Sequence, residues 1–295
     1  MPMKEDIDRL FCEIDDFVQQ HPEPLKQNMI GDATLKRKRK TEMTLSEIMT
    51  IVIAFHQEQF RTFKHFYLCI NQLYPGCFPR LVKYNRFVEL MPRAMLMLLA
   101  YLASLKGQRT GINFADSTPI QVCKPKRMAR NKVFKGIAKK GKSTIGWFFG
   151  FKLHLVTNEK GELLSFMLTP GNVDDRTALP ELTKDLWGKL FGDKGYISQK
   201  LFEDLFARGL QLFTGIRKNM KAKLLPLFDR LLHRKRSIIE TINDQLKNIS
   251  QIEHSRHRSV KNFAVNLISG LIAYCLQPKK PSIKNDFFLA LPSLS

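Results

Sequence analysis

Between residues 111 and 216 the chain alternates short β-prone apolar runs with stretches of helical periodicity, and this order constrains the fold most. Residues 112–116 read as a buried strand that ends in a carboxylate, Asp116. Residues 147–158 and 162–169 read as a hairpin turning at Asn158-Glu-Lys-Gly161, and Pro170-Gly171-Asn172 ends its second strand. Residues 177–187 have helical spacing, with Leu179, Leu182 and Leu186 inward. Residues 189–193 form a short strand, again ending in a carboxylate, Asp193. Ser198 caps a helix that buries Leu201, Phe202, Leu205 and Phe206 and stops at Gly209. Residues 210–216 are one more strand. Two helices follow, the second strongly apolar through Val260, Phe263, Ala264, Leu267, Ile268, Leu271 and Ile272. This order predicts an α/β class, a mixed sheet flanked by helices.

The first of those two helices carries the chemistry. At a step of about 100° per residue, Arg236, Glu240, Asn243 and Lys247 share one stripe. Ile238, Ile239, Ile242, Leu246 and Ile249 lie opposite, an apolar back for packing. Alone, a carboxylate between two cations describes a surface helix with i,i+4 ion pairs. Asp116 and Asp193 add two carboxylates at strand ends, and three such acids can hold metal ions. Magnesium takes oxygen ligands, and two such ions can activate an attacking oxygen and stabilise a leaving one. Asp174 and Asp175 lie in a turn, where Asp is ordinary. Asp244, about 40° from Glu240 on the helix, is its main rival.

The net charge of +21 points to a polyanionic partner. It is uneven: net +4 over residues 1–110 and +17 over the rest. Residues 117–146 contain nine Lys or Arg and no acid, and read as a basic loop lying along phosphates or as a disordered basic insertion. The five cysteines form no C-x-x-C pair, so neither a disulfide framework nor a zinc site is indicated. The first residues do not read as a signal peptide, and the apolar stretch 94–105 is too short for a bilayer, so a cytoplasmic protein is expected.

Residues 1–110 look all-helical. Helices are expected over 5–20, from the capping box Thr44-Leu-Ser-Glu47 to about 58, over 60–73 and over 81–105, with a break at Pro75-Gly76. Residues 21–43 read as a linker whose run Lys36-Arg-Lys-Arg-Lys40 touches phosphates or is solvated. The region could hold a helix-turn-helix that reads a DNA end, or serve packing or dimerisation. The expected division is a helical region over 1–110, a catalytic domain over 111–276 and a tail over 277–295.

Several segments resemble the DDE transposases of bacterial insertion sequences, most closely the insertion sequence 982 family. They are Phe114-Ala-Asp116-Ser, Phe134-Lys-Gly-Ile-Ala-Lys-Lys-Gly, Gly146-Trp-Phe-Phe-Gly-Phe-Lys-Leu-His154, Thr169-Pro-Gly-Asn-Val-Asp-Asp175, Gly192-Asp-Lys-Gly-Tyr196 and Ile239-Glu-Thr-Ile-Asn-Asp-Gln-Leu-Lys247, with Glu253-His-Ser-Arg-His-Arg258. The resemblance implies an RNase H-like fold, with Asp116, Asp193 and Glu240 as catalytic, metal-binding triad and Mg²⁺, or Mn²⁺, as cofactor. It also implies cleavage at terminal inverted repeats, strand transfer into target DNA, a homodimer in the synaptic complex and a bacterial, nucleoid-associated protein without a membrane partner. A broader signature, Tyr-x₂-Arg-x₃-Glu-x₆-Lys, is met by Arg236, Glu240 and Lys247, with His233 in place of the Tyr. Expected DNA contacts are Arg236, Lys247, Lys135, Lys139, Lys140, Lys142, Arg256 and Arg258; His254 and His257 could join them. A nuclease on the same fold and a non-catalytic DNA-binding protein are the alternatives.

Overall fold

The structure, a computed structural model, describes residues 4–21, 42–58, 60–144, 146–215, 226–253 and 257–283. The run 36–40, His254, Arg256 and the tail beyond 283 lie outside the described residues. The chain forms two compact units: residues 1–105 with 246–277, and 106–245 with 278–295.

The first unit is helical. It contains α1 (Lys4–Gln20), α2 (Leu45–Gln57), α3 (Phe63–Leu73), α4 (Tyr84–Leu90), a 3₁₀ turn at Met91–Ala94, α5 (Met95–Ser104) and, from far along the chain, α10 (Val260–Cys275). The capping box is present: Glu47 N–H donates to Thr44 Oγ1 (3.1 Å) and Thr44 N–H to Glu47 Oε2 (2.6 Å). Such a cap stabilises a helix by about 1 kcal/mol. α1 packs on α2, and α10 packs on both α2 and α5. Residues 246–277 therefore cluster with the helical unit, because the apolar α10 fills the helical core. The helical run Tyr84–Ser104 is long and apolar enough by composition to cross a membrane, but half of its apolar window is buried inside the protein.

The second unit holds the sheet. Its strands are β1 (Ile112–Cys123), β2 (Lys139–Ser143), β3 (Gly146–Asn158), β4 (Leu163–Pro170), β5 (Gly188–Gly192) and β6 (Leu210–Thr214). Its helices are α6 (Asp175–Leu182), α7 (Gln199–Phe206), α8 (Leu227–Arg234) and α9 (Ser237–Asn248), the last crossing into the first unit after Gln245. The order is β2-β3-β1-β5-β6, and β4 shares the outer edge of β3 with β2. β1, β3 and β4 are antiparallel, whereas β1, β5 and β6 run parallel. This is the RNase H-like arrangement, a mixed sheet flanked by helices and preceded by a helical region.

Three expectations change. β1 does not end at Asp116: it pairs with β3 as far as Cys123. Nor is 117–146 a loop, because 117–123 continue β1 and Lys139–Ser143 is the edge strand β2. An edge strand needs only backbone pairing on one side, and lysines are common there because they discourage further pairing. α6 also stops at Leu182, five residues before the expected end.

The two faces of the sheet differ. Ala115, Val156, Leu164, Leu190 and Leu212 face a core closed by Leu179 and Leu182 of α6 and Leu201 and Leu205 of α7. On the other face Phe114, Phe191 and Phe213 stack in a row across β1, β5 and β6, with ring centroids 5.5 and 5.0 Å apart. α8 covers β5 and β6 there, and its buried Asp229 binds Lys189. Strand alternation puts Asp116 and Asp193 on this second face, two residues beyond Phe114 and Phe191.

Candidate active site

Register brings the two aspartates together. β1 and β5 pair Ile112 with Lys189, Asn113 with Leu190 and Phe114 with Phe191. Continued by two residues, the same offset sets Asp116 level with Asp193. The start of the ladder is fixed at several points. Lys189 N–H donates to Gly111 O (2.8 Å), and Asn113 Nδ2 donates to Trp187 O and Lys189 O (3.0 Å each). Gly188 sits at φ +85°, and a Cβ there would come within 2.3 Å of Gly111 O, so only glycine fits. Parallel strands about 4.8 Å apart therefore present both carboxylates on one face.

α9 supplies the rest. Its apolar side buries Ile238, Ile239 and Ile242. On the opposite side Arg236 binds Glu240, and buried Asn243 donates through Nδ2 to Asp116 Oδ2 (2.9 Å). This bond ties the helix to the first strand. Asp193 caps the short 3₁₀ turn Lys194–Tyr196, its Oδ1 accepting from Gly195 N–H (2.7 Å).

The carboxylates act on one another. Burial pushes Asp116 up to about 6; Asp193 and Glu240 push the same way, while Arg236 opposes them. A buried acid with two further acids beside it marks a site suited to a cation. Tyr196 lies close by, its hydroxyl buried and without a hydrogen-bond partner among the described residues. Burial raises its phenol well above the ordinary range, and Asp116, Asp175 and Asp193 add to this.

The structure sorts the other candidates. Asp174 caps α6 and grips Arg176 (2.5 Å), which holds its carboxyl down to about 2. Asp175 pairs with Lys152 (3.0 Å). Asp244 is exposed, and the acids acting on Asp116 are Asp193 and Glu240. Lys247 pairs with Glu253 (3.1 Å), leaving Arg236 as the cation at Asp116. His233 is held neutral by burial and by Arg236. His257 is half-buried; burial lowers it to about 4, and it packs edge-on against Phe263. Arg258 is exposed, as are Lys135, Lys139, Lys140 and Lys142.

Sequence reasoning placed Asn243 on the right stripe without giving it a role. Tyr196 and Trp147 stand in the quoted segments without a role; their signals are a tyrosine three residues after an acid and a tryptophan beside a lysine-rich strand.

Among the described residues no three His, Cys, Asp or Glu side chains already form a metal cluster. The donor chemistry nevertheless fits a hard divalent ion: three carboxylates supply oxygen donors, and burial with its two acidic neighbours disfavours the uncompensated charge of Asp116. Glu240 is meanwhile satisfied by Arg236.

The family described as transposase DDE domain matches residues 106–260. Among solved structures, the crystal structure of the Mos1 strand transfer complex aligns over 93% of this chain and 97% of its own, at 12% identity and a TM-score of 0.24, too weak a likeness to argue from. No curated protein matches.

Proposed function

Since the chain belongs to the transposase DDE domain family, we propose that Asp116, Asp193 and Glu240 are its catalytic carboxylates in DNA strand cleavage and transfer. The observation that carries this is the level register of Asp116 and Asp193 on neighbouring parallel strands, with the helix bearing Glu240 tied to Asp116 through Asn243.

Asp116, Asp193 and Glu240 would hold Mg²⁺, or Mn²⁺ in its place, and the bound ions would supply charge for the attacking and leaving oxygens. Asn243 keeps one oxygen of Asp116 oriented. Arg236 positions Glu240, and a guanidinium's five donors let it bind a phosphate oxygen at the same time. Water attacks a phosphodiester at an element end and frees a 3′-OH, which then attacks a phosphodiester of target DNA. Exposed Lys135, Lys139, Lys140, Lys142 and Arg258 carry the phosphate backbone, with Lys247 and Arg256 assigned the same role by resemblance. The partners are terminal inverted repeats and target DNA, held by a homodimer. The helical unit reads the repeat or joins the two copies. The finer placement in the insertion sequence 982 family rests on the quoted segments.

The test uses labelled DNA carrying the element ends. Asp116→Asn should abolish cleavage and joining but keep binding; full activity in that variant would end the assignment. Hydrolysis without joining of precleaved ends would reassign the site to a nuclease.

A further inference from the structure

We propose that the cleft between β2 and the turn before α6 binds one unpaired nucleotide of a DNA strand, with Trp147 as its stacking surface. The inference rests on the DNA-processing function above and adds a substrate subsite to it. The cleft encloses about 500 Å³, within the size range of small-ligand sites. Lys140, Lys142 and Trp147 line one wall, residues 171–176 line the other, and Gly195 closes one end. Gly195 donates its N–H to Asp193, so the cleft reaches the catalytic face of the sheet.

Trp147 is 56% exposed, which leaves a large aromatic surface in water. It is not a core residue that has slipped outward, because its β3 neighbours Phe148 and Phe149 are buried. Lys140 Nζ lies 4.4 Å and Lys142 Nζ 5.8 Å from its ring centroid. These lysines keep cations at the aromatic ring.

The charges in the cleft decide what it accepts. Asp174 is neutralised by Arg176 and Asp175 by Lys152. Among the described residues no acid pairs with Lys140 or Lys142, so the surplus charge is positive and lies beside the aromatic ring. A ligand that offers an anion and a flat π-face together is a nucleotide. In a duplex the base faces are covered by their neighbours, so the base that reaches Trp147 is unpaired.

The test reads binding alone, on the full-length protein. The chain has two tryptophans, so a Trp187→Phe background, excited selectively at tryptophan, reports on Trp147. Three DNAs are titrated: a blunt duplex, the same duplex with a single-stranded overhang, and that duplex with the overhang made abasic. The overhang with bases should quench Trp147, and the other two should not. Trp147→Ala should weaken overhang binding about tenfold and leave blunt-duplex binding unchanged. Trp147→Phe, which keeps a stacking face, should restore most of the loss and shows that the strand still folds. Equal quenching by all three DNAs, equal loss on blunt and overhang DNA, or equal quenching by an acidic peptide would each overturn the proposal. Asp116 is intact throughout, so a negative result leaves the catalytic assignment standing.

Discussion

At pH 7 an ionised Asp116 must share its surroundings with Asp193 and Glu240 while partly withdrawn from water. Its carboxyl holds a proton up to about pH 6, against an ordinary value of 3.8, so the folded protein binds a proton that the unfolded chain has already released. The contribution to stability is therefore largest below the ordinary value and is lost as pH rises through about 6. A shift of this size corresponds to about 3 kcal/mol at neutral pH. Asp116→Asn should raise the melting temperature in metal-free buffer at pH 7 and give no gain near pH 4, checked by thermal unfolding at both. A variant that loses activity while gaining stability is what a binding site for charge should produce. Asn243→Ala tests the neighbouring bond. It should lower the cleavage rate about tenfold, roughly the worth of one hydrogen bond, without changing affinity for duplex DNA.

Elements whose sequences carry a strong period were legible before the structure was known. α9 showed an apolar back of isoleucines, and the β3–β4 hairpin announced its turn through Asn158, whose Oδ1 accepts the N–H groups of Lys160 (3.0 Å) and Glu162 (2.9 Å). β2 was illegible because Lys139-Lys-Gly-Lys-Ser143 has no alternation of apolar and polar residues. Its pairing comes from the backbone, and the sequence does not record which neighbour supplies the partner. α8 escaped notice although Leu227, Phe228, Leu231 and Leu232 stand at helical spacing, because the helix is only eight residues long and buries only Asp229 and Leu232. Asp116 and Asp193 could be picked out from the sequence as acids at strands, but not their level register, which depends on backbone bonds at Gly111 and Lys189. With Lys139, Lys140 and Lys142 now on an exposed edge strand, replacing all three by Gln should make DNA affinity less sensitive to salt. The slope of log K against log [salt] should fall by about 2–3 if each lysine meets one phosphate. Binding isotherms across a salt series measure this, and an unchanged slope would remove β2 from the interface.

Across the whole molecule the two units answer acid in opposite senses. In the helical unit buried His56 and half-buried His257 are neutral, each lowered to about 4 from an ordinary 6.5. His56 is additionally held by Ser250 O. Here the unfolded chain gains the protons first, so stability is complete above pH 6.5 and falls as the pH drops towards 4, by roughly 3 kcal/mol per histidine. Urea unfolding followed by far-UV circular dichroism should show the helical unit failing at pH 4.5 under conditions where it survives at pH 7. That unit also depends on residues remote in sequence: Leu271→Ala on α10, buried completely, should cost about 2–5 kcal/mol and act on the N-terminal helices. During synthesis the same dependence becomes a matter of timing. α2 and α5 leave the ribosome long before α10 does, and the apolar faces they turn to it stay open until residues 260–275 emerge. A nascent chain stalled within the sheet should therefore be the form that holdase chaperones grip, and its maturation is gated by translation rather than by intrinsic folding speed.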